Sequence, residues 1–186
     1  MDLLAELKTR TRPHHERIEA GLNPMREGLT RADYEYLLAG FYGFYAPWED
    51  RAATALRPDL RAEFDRRRKA PALDRDLRFL GADPAGLPRC ARLPPTDSAA
   101  AVLGAMYVVE GSTLGGQHIA RHLARTLGVR PGAGCDFFSG YGDETGAMWK
   151  QFRAWLTAHG VGQEEVVVAA AADTFDRLGA WMSARR

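Results

Sequence analysis

Gly111-Ser-Thr-Leu-Gly-Gly-Gln117 lies inside an apolar run, Ala99 to Leu127, that otherwise has the pattern of one long helix. A glycine in a helix interior costs about 1 kcal/mol against alanine, so Gly104, Gly111, Gly115 and Gly116 together forgo roughly 3 to 4 kcal/mol of helix propensity. Some contact must compensate. At about 100° per residue, Gly104, Gly111 and Gly115 share a narrow sector of one face, a stripe on which the backbone itself is the surface. Such a stripe suits either the close approach of another helix or a large flat ligand. The adjacent Gly115 and Gly116, with Ser112 and Thr113 able to bond back to carbonyls one turn earlier, also predict a bend.

Outward from this stretch, helical periodicity dominates and strand-like alternation is almost absent, so an all-α fold is expected. A chain of 186 residues without a Ser/Gly-rich or charged linker reads as a single domain over residues 1–186. A first helix from Leu3 to about Gly21 carries Leu4, Leu7, Thr11, Ile18 and Leu22 as its stripe, with a kink or restart at Pro13. Thr30 and Asp33 have capping-box spacing before an aromatic helix that Pro47 is expected to interrupt, with a separate helix from Trp48 to Arg57. Further helices are expected in the charged stretch before Lys69, over Leu73 to Leu80, over Glu144 to His159 behind an Asp143 cap, and from about Gln163 to Met182. Residues 81–97 and 128–142 read as loop and turns.

Composition narrows the function. Twenty-five basic residues nearly cancel 24 acidic ones, which argues against general nucleic-acid or membrane-surface binding. The densest basic run, Arg66-Arg67-Arg68-Lys69, reads as a solvated helix end able to receive an acidic partner. Two cysteines, Cys90 and Cys135, indicate neither a disulfide framework nor a zinc site, and no leader or spanning segment is evident. A cytoplasmic location is the expectation.

Among five histidines, His14 and His15 stand at the edge of the first helix's apolar stripe, where either could face a buried ligand. In Leu7-Lys8-x-x-Thr11-x-x-x-His15 a neutral imidazole can bind iron while the lysine two turns earlier reaches anionic groups at the ligand's rim. With this motif, Tyr107-Val-Val-Glu-Gly111-Ser-Thr-Leu-Gly115-Gly-Gln117 and Phe137-Phe138-x-x-Tyr141-Gly142-x-x-x-Gly146-x-x-Trp149-Lys150-x-Phe152, the chain resembles the haem oxygenases, specifically the bacterial biliverdin-producing type. The similarity spans Leu3 to Met182.

The resemblance implies haem held between a proximal helix and a kinked glycine-rich distal helix. His15 would be the axial ligand of the haem iron, and Lys8, Lys150 and Arg153 would approach the propionates. Tyr107, Gly111, Gly115 and Gly116 would line the haem. Gly111, Ser112 and Gly115 would form the catalytic face, leaving room for dioxygen to lean along the haem plane. Haem would be substrate and cofactor at once, oxidised to biliverdin, carbon monoxide and ferrous iron. Electrons would come from an external ferredoxin or flavoprotein reductase, since no flavin or nicotinamide pattern is present. A bilin-binding photoreceptor is a candidate acceptor of the product. Ser112 departs from animal relatives, which place an aspartate there.

Four further readings accompany this one. A non-degrading haem-binding protein for storage, sensing or delivery would use the same proximal residues, with His118 as a second ligand. His118 and His122, at i and i+4, have metal-binding spacing but lack HExxH or paired Glu-x-x-His context, and read as unengaged helix histidines. Cys135 lacks an adjacent base and reads as an inert thiol rather than a nucleophile. His14 replaces His15 as ligand if the helix rotates at Pro13.

Overall fold

The computed structural model describes residues 2–185 and is all-α. Its helices are α1 (Leu3–Leu22), α2 (Arg31–Ala55), α3 (Pro58–Asp65), α4 (Ala70–Leu80), α5 (Ala99–Leu127), α6 (Asp136–Ser139), α7 (Thr145–His159) and α8 (Glu164–Ala184). Among the described residues the only bridge pairings are isolated ones between Arg130 and the turn at Ala133 and Gly134.

Local chemistry sets most boundaries. The Asp2 carboxylate accepts from the Leu4 and Ala5 amides at the start of α1. Thr30 and Asp33 form the reciprocal capping box of α2, and the bonds from Thr30 with the nearby Arg26 hold the Asp33 carboxyl down to about 2. α5 runs unbroken from its Ser98 cap to Gly128, whose φ of 70° ends it in the left-handed region.

Pro47 does not interrupt α2, contrary to the sequence expectation, and Trp48 continues the same helix. A proline removes the bond to the carbonyl four residues back. That carbonyl belongs to Gly43, and it accepts instead from the Cys90 amide at 2.8 Å. The returning loop thus supplies the missing donor. A side chain at Gly43 would collide with the Pro88 carbonyl, so glycine is what admits the loop. Pro13 likewise lies within a continuous α1 on its exposed side. Asp143 sits in a 3₁₀ turn, Gly142–Glu144, and α7 starts after Glu144 without a side-chain cap.

Aromatic residues of α2 form the densest part of the core. Phe41, Tyr45, Phe137 and Phe138 pack ring against ring, and Trp48 meets Phe64. α8 is the central strut: α1 packs along one side of it and α5 along another, whereas α1 and α5 scarcely pack on each other. α1 and α5 are left with little direct contact, and the space between them, here the gap, is the candidate site.

Candidate functional site

The glycine stripe divides into a packed half and an open half. A Cβ on Gly104 would lie 2.2 Å from the Val167 carbonyl of α8, so this glycine exists for helix contact. Further along the same face, a Cβ on Gly111 would meet only Trp149, at 3.8 Å, and one on Gly115 would meet nothing within 4 Å. Here the backbone surface is uncovered. Gly116 points elsewhere, with the Phe138 carbonyl 2.6 Å from its notional Cβ, so it seats α6 rather than lining the gap. Ser112 and Thr113 donate back to the Val109 and Glu110 carbonyls, each at 2.7 Å. The deeply buried Tyr45 phenol, raised by burial, lies within reach of Ser112.

α1 closes the other side. Leu7 and Thr11 are buried, the Thr11 hydroxyl donates to the Leu7 carbonyl at 2.7 Å, and the Tyr107 phenol of α5 lies near it. Burial raises the Tyr107 phenol, while the nearby Thr11 hydroxyl and Arg153 charge oppose the shift. The Tyr107 ring stands 5.7 Å from Trp149 of α7, so Thr11, Tyr107, Gly111, Trp149 and Arg153 converge from three helices.

The two histidines of α1 turn to different neighbours. Arg10 and Arg17 pair with Glu165 and Asp176 of α8, and His14 joins them through Nδ1 at 2.7 Å from Asp176. With Arg17 also on that carboxylate, His14 belongs to an ion network on the α8 flank. It borders a groove of about 240 Å³ floored by Ile18, Leu22, Phe175 and Met182, below the roughly 300 to 1,000 Å³ of usual small-molecule pockets. At about 100° per residue, His15 shares the sector of Thr11 and Lys8 on α1. Its Nδ1 lies 3.4 Å from Glu19 of the same helix, and its ring meets Phe175 of α8 edge-on. Unlike His14, it makes no hydrogen bond to a carboxylate of α8. About half of the His15 side chain is exposed, as an approach to Nε2 requires.

Lys8 and Lys150 are exposed and make no ion pair among the described residues, leaving both ammonium groups free for anions; Arg153 is exposed beside Tyr107. His118 instead contacts Arg121 through Nδ1 and, with His122, Arg125 and Met25, borders a separate hollow. No group of three or more metal-binding side chains is gathered among the described residues. Cys135 is fully buried and its thiol is pushed up by desolvation, as an inert thiol should be. The basic run corrects its sequence reading: Arg67 and Lys69 are buried, not solvated, and engage Glu63, Glu110 and Tyr141. Glu63 is four residues from Arg67, but no periodicity in the sequence marks the pairings with Glu110, Met148 and Tyr141, which join residues some 40 to 80 positions apart.

The molecule is an all-α bundle with an uncovered glycine face on α5 and a half-exposed histidine on α1. The family described as Heme oxygenase matches residues 1–184, and the chain belongs to that family, whose members degrade haem. A haem oxygenase of Xanthomonas campestris pv. campestris (strain 8004) is 35% identical over 138 residues, 73% of this chain and 79% of the relative. The fold matches a haem oxygenase from Neisseria meningitidis, solved in NO- and CO-bound forms, with a TM-score of 0.84 at 19% identity over 98% of this chain and 91% of that one. A haem oxygenase from Leptospira interrogans matches with a TM-score of 0.75 at 19% identity over 99% and 100% of the two chains. No described helix is long and apolar enough to cross a membrane.

Proposed function

We propose that this chain binds haem in the gap between α1 and α5 and oxidises it to biliverdin, carbon monoxide and ferrous iron, using dioxygen and electrons from a separate reductase or ferredoxin. The observation that carries the reading is the uncovered backbone at Gly111 and Gly115 of α5, together with a half-exposed histidine on α1. When bound, the iron of the substrate supplies the dioxygen chemistry. The chain supplies the rest. His15 would hold the iron of the substrate, with Glu19 beside its Nδ1. Gly111 and Gly115 would keep side chains off the α5 surface, leaving room there for dioxygen. Tyr107 and Trp149 wall the interior end of the gap, and Lys8, Lys150 and Arg153 offer cations to the carboxylates at its mouth.

Ser112 donates to a helix carbonyl and has the Tyr45 phenol beside it, so its hydroxyl is engaged on the α5 and α2 side. A family-level product acceptor, a bilin-binding photoreceptor, fits a chain that makes biliverdin without storing it. The test is single turnover: the haem-loaded protein receives reductant and oxygen, with catalase present, while the Soret band, bilin absorption and carbon monoxide are followed. Biliverdin with one equivalent of carbon monoxide is expected. A stable oxy complex that only returns to ferric haem would establish storage or sensing instead.

A further inference from the structure

Arg67 is a charged side chain only 1% exposed, and its fork reaches three elements at once. Nε donates to Glu63 at 2.7 Å, while Nη1 donates to Glu110 Oε2 at 2.7 Å and to the Met148 carbonyl at 3.1 Å. The guanidinium also lies 5.3 Å over the Phe152 ring. Glu110 completes its coordination with Lys69 Nζ and with the Tyr141 hydroxyl at 2.7 Å. Burial works against the Arg67 charge, but its bonds to Glu63 and Glu110 prevail and raise its pKa.

Each of the two anchor points adjoins a residue of the site. Glu110 immediately precedes Gly111, and Met148 immediately precedes Trp149, whose ring would lie 3.8 Å from a Cβ placed on Gly111. One planar group therefore ties the Glu110 side chain of α5 to the Met148 carbonyl of α7, each one residue away from the place where the spacing of the two helices sets the width of the open face. Buried ion pairs contribute little net stability against apolar packing of equal volume, so stability alone does not account for a fully buried guanidinium here. Directional bonds specify geometry. We infer that Arg67 is a positioning residue for haem oxidation: through Glu110 and the Met148 carbonyl it fixes the separation of Gly111 from Trp149, and hence the distal space over the substrate.

The inference rests on the reading that Gly111 overlies bound haem. Arg67→Lys keeps a buried cation near Glu110 but cannot span both anchors, because an ammonium is a point donor and not a fork. Glu110→Gln is the milder second variant, and Tyr141→Phe is the control that leaves the Arg67 clamp in place. Each protein is compared with the parent by haem titration, by the C–O stretching band of the ferrous carbon monoxide complex, and by hydrogen exchange of the α5 amides in the haem-free state. Arg67→Lys and Glu110→Gln are expected to keep haem affinity within about threefold while shifting or splitting the C–O band. Turnover should fall by about tenfold or more, since a displacement of order 1 Å can cost about 10²-fold. Tyr141→Phe should leave the C–O band unmoved.

An unchanged band and unchanged turnover in both clamp variants would overturn the inference, as would an equal band shift in Tyr141→Phe. Should Arg67→Lys fail to fold, Glu110→Gln alone decides by the same band. A parent protein that does not bind haem would refute the underlying reading rather than the role of Arg67.

Discussion

At the residue scale, glycines of one stripe do two different things, and substitution separates them. Gly104→Ala drives a methyl into the Val167 carbonyl and should lower stability by about 1 to 3 kcal/mol, as overpacking does. Gly111→Ala meets only Trp149 at contact distance and should gain up to about 1 kcal/mol of helix propensity. Urea denaturation of the two variants checks this pair of opposite signs. The same Gly111→Ala protein should still bind haem but turn it over more slowly, because the added methyl occupies the space kept open for dioxygen. Stability rising as turnover falls would mark Gly111 as a glycine retained for function. Equal loss of binding and turnover would mark it as a folding residue.

At the scale of elements, the short α6 is held by a buried acid of α4. Asp76 accepts from the Asp136 and Phe137 amides at 2.7 and 2.8 Å, and α6 in turn seats Gly116 of α5. Desolvation raises the Asp76 carboxyl to about 6 from 3.8, with the two amide bonds opposing it. The folded state therefore holds this proton more tightly than the unfolded chain does. The favourable contribution of Asp76 is full below about pH 4 and is lost as pH rises through 6. Asp76→Asn removes that dependence, so its stability relative to the parent should improve between about pH 4.5 and about pH 7.5. Denaturation midpoints at the two pH values measure it, and a constant difference would show that Asp76 does not titrate in this range.

How far the elements are legible in sequence depends on which interactions are local. Caps and periodicity act within a turn or two, so the Thr30–Asp33 box, the full length of α5 and the Gly128 stop can be read directly. Pro47 misleads because its missing bond is replaced by the Cys90 amide, 47 residues away from Gly43 in the chain. The basic run misleads for the same reason, since the partner that draws Arg67 and Lys69 inward is Glu110 on another helix. Within the candidate site, motif spacing names His15, Gly111 and Gly115. It cannot tell that Gly116 faces α6, because one residue of helix rotation decides which way a glycine looks.

At the scale of the whole molecule, α8 keeps α1 and α5 apart, and the proposed chemistry depends on the gap between them. Arg10, His14 and Arg17 of α1 are tied to carboxylates of α8, whereas His15 lies beside Glu19 of its own helix and meets Phe175 of α8 only by a ring edge. His14 is held by Asp176, which is why the proposed site gives the iron to His15. The most direct measurement is the absorption spectrum of the ferric haem complex of His15→Ala beside that of His14→Ala. His15→Ala should shift the Soret and visible bands and weaken haem binding, while His14→Ala should keep the parent spectrum. A parent-like spectrum for His15→Ala, with the shift appearing in His14→Ala, would place the haem on the α8 flank and refute a site between α1 and α5.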